Sequence, residues 1–202
     1  MKPAAALDSG LGELRLEMPA AAREQLLRYL ELLAKWNRTY NLTAVRDPLE
    51  MVTHHLLDSL AVIPHLPMRS NRLADVGSGA GLPGIPLAIA RPQWQVTLND
   101  ASQKKTAVLR QAAIELKLPN VAVHEGRVEA WRPAARFAVV ISRAFAELAR
   151  FISSCRHLVE PGGVLAAMTG AAPADKRAGQ IIELRVPLLD AARHLVLYRV
   201  EP

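Results

Sequence analysis

The 202-residue sequence predicts an α/β fold in which a mostly parallel seven-stranded sheet, with helices on both faces, follows a helical N-terminal extension. Short apolar runs alternate with helical patterns in the second half of the chain, which is typical of βα units. At the C-terminus, IIELRVPLL and HLVLYRV are separated only by DAAR, which is too short for a crossover and predicts an antiparallel hairpin at the sheet edge. The five runs before this hairpin are RLADV (72–76), WQVTLN (94–99), NVAVH (120–124), FAVVIS (137–142) and GVLAAM (163–168). We place the extension at residues 1–66 and the sheet domain at 67–202, as one structural unit.

The extension contains two helical patterns. The first runs from Pro19 to Val45, with leucines at the i, i+4 and i+7 positions of one face. The second begins with Asp47 as its cap, Pro48 at the first helical position and Glu50 in the first turn, where a carboxylate favours the helix dipole. It should end near Ile63, before a proline.

The composition predicts a cytoplasmic protein. No apolar run approaches the roughly 18 to 20 residues that cross a bilayer, and the first residues lack the apolar region of a secretory signal. A single cysteine, Cys155, excludes an intramolecular disulfide framework and a cysteine-rich zinc site. We therefore expect no metal, no membrane contact and, since no assembly segment is evident, a monomer.

Basic residues are concentrated in the middle of the chain. Between Arg91 and Arg156 there are eleven Lys and Arg against five Asp and Glu, whereas the rest of the chain has fourteen of each. Such a region suits a polyanion and speeds its encounter through the long-range field. A solvated basic surface without a partner is the alternative.

The segment LADVGSGAGLPGIPLAIA (73–90) places a glycine-rich turn between a predicted strand and a helix. Such turns bring backbone N–H groups close to a ligand. The dinucleotide fingerprint G-x-G-x-x-G would need a third glycine where this chain has Leu82, and no lysine follows as in a P-loop. Pro83 and Pro86 also remove N–H donors that would otherwise bind a phosphate. The turn, with Gly77 and Gly79, therefore favours a nucleoside ligand without a phosphate at this point.

Two carboxylates near the turn indicate which ligand this is. Asp100 ends the second predicted strand, where an acidic residue accepts hydrogen bonds from ribose hydroxyls in doubly wound folds. Asp75 precedes the turn and suits a cationic group, and S-adenosylmethionine carries both an ammonium and a sulfonium. The sequence thus predicts S-adenosylmethionine as the cofactor. The alternatives are that Asp75 ties down the turn through backbone N–H groups and that Asp100 caps the strand end.

The loop after the fourth strand, ISRAFAEL (141–148), should meet the methyl acceptor. It lacks the Asn/Asp-Pro-Pro-aromatic motif of enzymes that methylate exocyclic amines. Methylation at a pyrimidine carbon needs a cysteine nucleophile, but Cys155 falls in the following helix and is better explained as a core residue. Guanine N7 has an available lone pair and needs no general base, so catalysis would depend on positioning. Arg143 would hold the cofactor edge or guanine O6 and Phe145 would stack on the base, unless they are a surface arginine and a core residue.

Together these motifs resemble a known family, the bacterial small-subunit rRNA guanine-N7 methyltransferases, also called glucose-inhibited division protein B. The similarity covers nearly the whole chain, and its stretches are KWNRTYNLTAVRD (35–47), HHLLDSL (54–60), DVGSGAGLPGIPLAI (75–89), RVEA (127–130), ISRAFA (141–146) and PGG (161–163). The resemblance implies a Rossmann-like class I S-adenosylmethionine-dependent methyltransferase that modifies one guanine in the decoding-region loop of 16S rRNA. The partner would be 16S rRNA or the small ribosomal subunit, with no DNA expected.

The resemblance also implies site residues. In the family's motifs, Gly77, Leu82 and Arg143 contact the cofactor, and the backbone of Val128 and Glu129 lies beside the adenine. For Glu129, a carboxylate at a helix start is the alternative. His55 and Asp58 match the family's HxxDS pattern, although i and i+3 on a helix also describes an ordinary structural pair.

One departure from the family concerns the RNA side of the site. Relatives commonly have Lys-Gly after the fifth strand, whereas this chain has Thr169-Gly170. If that lysine contacts RNA, the contact is weaker here. Candidate RNA contacts, chosen near predicted loops at the ligand edge of the sheet, are Arg46, Lys104, Lys105, Arg127, Arg143 and Phe145.

Two other functions compete with methyl transfer. A nicotinamide oxidoreductase is opposed by Leu82 in the fingerprint and by the prolines of the first helical turn. A non-catalytic RNA-binding protein that keeps the fold is favoured by the basic central region and by Thr169.

Overall fold

The computed structural model describes residues 1–67, 70–143, 147–172 and 179–201, and its described part contains a seven-stranded sheet in the order β3-β2-β1-β4-β5-β7-β6. The strands are β1 (Arg72–Val76), β2 (Gln95–Asp100), β3 (Val121–Glu125), β4 (Phe137–Arg143), β5 (Val159–Thr169), β6 (Gln180–Glu183) and β7 (His194–Arg199). Strands β1 to β5 are parallel, and β7 runs antiparallel between β5 and the edge strand β6. The predicted mostly parallel sheet with an antiparallel C-terminal pair is thus confirmed.

The strand order reverses beside β1. From β1 the chain proceeds outwards through β2 and β3, and then returns to β4 on the other side. Ligands of open α/β sheets bind outside the carboxyl ends of the strands at such a reversal. The turn after β1 and the ends of β2 and β4 therefore meet at the expected ligand edge.

The described helices are α1 (Pro3–Glu13), α2 (Ala20–Tyr40), α3 (Pro48–Met51), α4 (Asp58–Leu60), α5 (Gly84–Ala90), α6 (Gln103–Glu115) and α7 (Leu148–Cys155). The first predicted helix ends at Tyr40 and not at Val45, because Asn41 adopts a left-handed conformation (φ +50°). Asp47 caps α3 as predicted, accepting hydrogen bonds from the N–H groups of Leu49 and Glu50. Between α3 and α4 the chain forms a π-helical turn, Val52–Leu57.

Two strands differ in length from the prediction. β5 begins four residues earlier than expected and includes Pro161-Gly162-Gly163. The pairing register between β4 and β5 shifts between Phe137 and Val139, and this irregularity accommodates the three extra residues. β6 ends at Glu183, because Leu184, Val186 and Pro187 pack as a buried irregular segment and proline cannot donate to a sheet ladder. The link between β6 and β7 is consequently longer than the predicted DAAR.

Alternating strand residues face two apolar clusters. Leu73, Leu98 and Ile141 pack with the helices of the extension and with α5 and α6, whereas Val76, Val140 and Phe151 belong to the cluster on the other face. The first of these clusters contains residues of both the extension and the sheet domain, so packing does not separate the two units. The boundary at residue 66 therefore stays a prediction.

No helix in the described ranges is long and apolar enough to span a membrane. The described side chains include no group of three or more His, Cys, Asp or Glu that would hold a metal ion.

Candidate active site

The glycine turn connects β1 to α5 at the carboxyl edge of the sheet. Gly77, Gly79 and Gly81 have φ angles of +68°, +58° and +97°, which L side chains rarely adopt. The Ser78 N–H donates to the Asn99 carbonyl at 2.9 Å, so the turn is fixed to the neighbouring strand β2. Gly77 is exposed, and a Cβ added there would have no atom within 4 Å. The turn thus presents bare backbone to the space beyond the sheet edge.

Asp75 is completely buried beneath the turn. Its Oδ2 accepts a hydrogen bond from the Gly84 N–H at 2.8 Å, which ties the start of α5 to β1. Burial raises the pKa of this carboxyl to about 6, although the Gly84 N–H opposes the shift by stabilising the charged form. Its contacts agree with the alternative interpretation, in which Asp75 holds the turn. A ligand ammonium could reach Asp75 only if the carboxylate became accessible.

Asp100 stands where β2 ends, beside the same turn. Its Oδ2 accepts from the Gly79 N–H at 3.0 Å, and its Oδ1 accepts from the Ser102 N–H at 2.9 Å. Lys105, in the first turn of α6, lies 3.7 Å from Oδ2 through its Nζ. The structure therefore brings Asp100, Gly79 and Lys105 together, and the carboxylate keeps a small exposed surface at the edge.

The predicted adenine contacts follow β3. A short 3-10 turn, Val128–Ala130, buries the side chain of Val128 and leaves that of Glu129 exposed. The Asn99 side chain donates to the Gly126 carbonyl at 2.9 Å, and the Gly126 N–H donates to the Asp100 carbonyl at 3.1 Å. These bonds join the loop after β3 to the end of β2. Leu82, in the glycine turn, is buried.

Arg143 ends β4 and contacts the N-terminal extension. Its Nη1 donates to the His54 carbonyl at 2.7 Å and to Asp58 Oδ2 at 3.2 Å. Asp58 is buried and also pairs through Oδ1 with Arg193 Nε at 3.2 Å. Arg143 is thus held by ion pairing and is not an ordinary surface arginine.

His55 and Asp58, the HxxDS pair, use different partners. His55 Nε2 lies 3.0 Å from Thr43 Oγ1, and the side chain is buried. Burial, with the nearby positive charge of Arg143, lowers the pKa of His55 to about 4. His55 is therefore neutral at pH 7 and joins the NLTAVRD segment to the π-helical turn.

Besides Arg143, four of the predicted RNA contacts lie in the described part of the chain. Arg46, Lys104, Lys105 and Arg127 are exposed, in the loop before α3, in the first turn of α6 and in the loop after β3. Phe145 lies outside the described residues. Thr169 is half-buried and donates to the Ala171 carbonyl at 2.8 Å.

Cys155 is buried at the end of α7, and burial raises the pKa of its thiol to about 12. Since the thiolate is the nucleophilic form, this residue is inert at neutral pH. Its position agrees with the predicted core role.

Two side chains that contact the site, those of Tyr29 and Arg193, are not among the predicted site residues. The Tyr29 hydroxyl donates to the Ala80 carbonyl at 2.9 Å, so α2 also holds the glycine turn, and burial raises the pKa of this hydroxyl. The helical spacing of Tyr29 with the leucines of α2 indicates from sequence that this side chain lies on the buried face of the helix. The pairing of Arg193 with Asp58 was not predictable, because the sequence shows only that this arginine precedes the last strand.

Comparison with known proteins agrees with this arrangement. Residues 22–187 match the family model GidB, described as rRNA small subunit methyltransferase G. A "Ribosomal RNA small subunit methyltransferase G" from Methylobacillus flagellatus is 54% identical over 94% of this chain and 95% of the relative. Its counterpart from Burkholderia thailandensis is 52% identical over 95% of this chain and 89% of the relative.

Solved structures support the fold. A putative O-methyltransferase from Klebsiella pneumoniae aligns with a TM-score of 0.56 at 12% identity, over 86% of this chain and 90% of that chain. The glycopeptide N-methyltransferase MtfA in complex with S-adenosylmethionine aligns with a TM-score of 0.50 at 20% identity, over 74% and 68% of the two chains. The fold is therefore that of class I S-adenosylmethionine-dependent methyltransferases. With a family model matched over most of its length and relatives above 50% identity, the chain belongs to the GidB family of rRNA small subunit methyltransferases G.

Proposed function

We propose that this enzyme transfers the methyl group of S-adenosylmethionine to N7 of a guanine in 16S rRNA. The relatives are named as methyltransferases of small-subunit rRNA, and the proposal extends that activity to this chain. The observation that carries it is the convergence of the bare Gly77–Gly79 backbone, the Asp100 carboxylate and Arg143 at the reversal of strand order.

The residues at this edge fit the cofactor. The open space at Gly77 admits a ligand group against the backbone, and Asp100 is placed to accept hydrogen bonds from the ribose hydroxyls. Leu82 and the backbone of Val128 and Glu129 would flank the remainder of the cofactor. When bound, S-adenosylmethionine supplies an electrophilic methyl group on a sulfonium.

The protein's part in the reaction is to orient the reactants. Guanine N7 already carries its lone pair, so no side chain has to remove a proton from it. In-line positioning is worth up to roughly 7 to 11 kcal/mol in well-oriented systems. We assign Arg143 to the cofactor edge or guanine O6, Phe145 to stacking on the base, and Asp75 to the geometry of the glycine turn. Arg46, Lys104, Lys105 and Arg127 would bind phosphates.

The substrate follows from the same proposal. We place the enzyme in the cytoplasm, acting as a monomer on 16S rRNA or on the small subunit that contains it. A loop guanine costs less to unstack than a paired one, which favours the decoding-region loop as the target.

The test is tritium transfer from labelled S-adenosylmethionine to undermethylated small subunits and to naked 16S rRNA, followed by nucleoside analysis. We expect label in 7-methylguanosine. Asp100→Ala and Arg143→Ala should each lose more than about tenfold in activity, because each removes a contact with a reactant. Asp8→Ala, which removes an exposed α1 carboxylate paired with Arg23 of α2, is the control and should retain activity.

Three results would contradict the proposal in different ways. Near-wild-type activity of both site variants would reject the assigned residues. Label in another nucleoside would reject N7 as the acceptor. RNA binding with no methyl transfer would favour the non-catalytic RNA-binding protein.

A further inference from the structure

The Asp58 carboxylate lies between two arginines at the ligand edge of the sheet. Its Oδ2 is 3.2 Å from Arg143 Nη1 and its Oδ1 is 3.2 Å from Arg193 Nε. The Asp58 side chain is only 3% exposed, whereas those of Arg143 and Arg193 are 25% and 22% exposed. A buried carboxylate is costly unless it is paired. Oδ2 accepts a hydrogen bond from Arg143, whereas Oδ1 is paired with Arg193 by charge and has no hydrogen-bond partner among the described residues. Together the two ion pairs balance the buried charge of Asp58, and the hydrogen bond fixes the Arg143 guanidinium.

The π-helical turn provides a second acceptor for Arg143. The Asp58 N–H donates to the Thr53 carbonyl, five residues back, and not to the His54 carbonyl as in an α-helix. The His54 carbonyl accepts instead from Arg143 Nη1 at 2.7 Å. Both acceptors that the described residues provide for Arg143 therefore come from one short segment, 54–58, and the change in helix type makes one of them available.

We propose that Asp58 is a positioning residue for methyl transfer, which holds the Arg143 guanidinium in the orientation that binds the cofactor. The inference rests on the proposed function, because it takes Arg143 as a cofactor contact. It makes the N-terminal extension part of the active site, since Asp58 and His54 precede the sheet domain. The competing explanation is that the ion pairs only stabilise the packing of the extension on the sheet.

A double-mutant cycle on cofactor affinity separates the two explanations. Equilibrium dialysis with labelled S-adenosylmethionine alone gives dissociation constants for the wild type, Asp58→Asn, Arg143→Ala and the double variant. We expect Asp58→Asn to weaken binding about tenfold when Arg143 is present and less than about twofold when it is absent, because the effects of substituting residues in direct contact are coupled. Equal losses in both backgrounds, or no loss in the first, would overturn the proposal.

Matched variants keep the result interpretable. Asp8→Asn makes the same substitution in the pair between Asp8 of α1 and Arg23 of α2 (2.9 Å) and should leave cofactor affinity unchanged. Asp58→Glu retains the charge and should bind more tightly than Asp58→Asn. If circular dichroism shows that Asp58→Asn is unfolded, the cycle is run with Asp58→Glu. A loss of affinity that is smaller than tenfold but present only with Arg143 would support the proposal, and equal effects with and without Arg143 would overturn it. A wild type that binds no S-adenosylmethionine would reject the proposed function itself, whereas binding without coupling would reject only the role of Asp58.

Discussion

Asp75 shows how a single buried side chain links the site to the stability of the fold. Its carboxylate has no exposed surface, and its Oδ2 accepts from the Gly84 N–H. Because burial disfavours the charged form, the pKa rises from 3.8 to about 6. Between these two values the folded protein binds a proton that the unfolded chain has released. Stability from this group is therefore present below the unfolded pKa and is lost as pH rises through the folded one.

Asp75→Asn should remove this pH dependence. Asparagine keeps an oxygen for the Gly84 N–H but does not ionise, so wild type should lose free energy of unfolding relative to the variant as pH rises. Between about pH 4.5 and about pH 7 the relative loss should be on the order of 2 kcal/mol. Urea unfolding of both proteins at the two pH values measures it. A wild-type-minus-variant difference that is the same at both would show that Asp75 does not titrate in this range.

At the scale of elements, the glycine turn and α5 depend on close approach to the sheet. All seven residues of α5 are buried, and its first residue, Gly84, lies against Leu98 of β2 and Asp75 of β1. A Cβ added at Gly84 would lie 2.7 Å from Asp75 Oδ2 and would overlap Leu98 Cδ2. Both neighbours are buried, so neither can move away freely.

Gly84→Ala should therefore destabilise the protein by roughly 1 to 3 kcal/mol, the usual cost of overpacking a core. Gly12→Ala is the matched control, because Gly12 lies in α1 and a Cβ there meets no atom within 4 Å. Alanine in that helix should be neutral or stabilising by up to about 1 kcal/mol. Chemical denaturation of the two variants gives both values. Equal stabilities would show that α5 can shift away from the sheet without cost.

The elements also show how far the sequence predicts this fold. Short apolar runs located both ends of β1 to β4 within one residue. For β1, β2 and β4 this was possible because mostly buried parallel strands need continuous apolar sequence, whereas the edge strand β3 is only partly buried. The start of α3 was predictable because Asp47 and Pro48 act locally. The π-helical turn was not, since six residues of π-helix are too short a stretch to change the apolar pattern of the helix around them. In the structure the turn coincides with a tertiary contact, that of the His54 carbonyl with Arg143.

The candidate site follows the same division. Asp100 and Arg143 could be placed from sequence because each ends a strand, and parallel strands bring their carboxyl ends to one edge. The partners of Asp58 could not, because Arg193 is far away in sequence and nothing local selects it. The choice between a ligand-binding role and a turn-holding role for Asp75 also depends on how deeply its carboxylate is buried, which the sequence does not specify.

The parallel strands of the sheet define two opposite sides of the molecule, the ligand edge at their carboxyl ends and the edge at their amino ends. Charged residues at these two edges should differ in function. Because α6 follows β2, its first turn lies near the carboxyl ends of the parallel strands and its last turn near their amino ends. Lys104 stands in the first turn, and Lys117 follows the last residue of the helix, Glu115. Both side chains are exposed, and about 20 Å of helix separates them at 1.5 Å per residue. They carry the same charge at opposite ends of one helix.

If RNA binds at the ligand edge, only the lysine at that edge should contribute to binding. Each phosphate contact adds about 0.7 to 0.9 to the slope of log affinity against log salt, so Lys104→Gln should lower the magnitude of the slope by that amount. Lys117→Gln should leave the slope near the wild-type value. Fluorescence anisotropy with a 16S rRNA fragment containing the decoding-region loop, titrated at several salt concentrations, measures both. A larger effect of Lys117→Gln would show that RNA binds at the opposite edge. Equal effects of the two substitutions would indicate that the net positive charge of the chain attracts RNA without a defined surface.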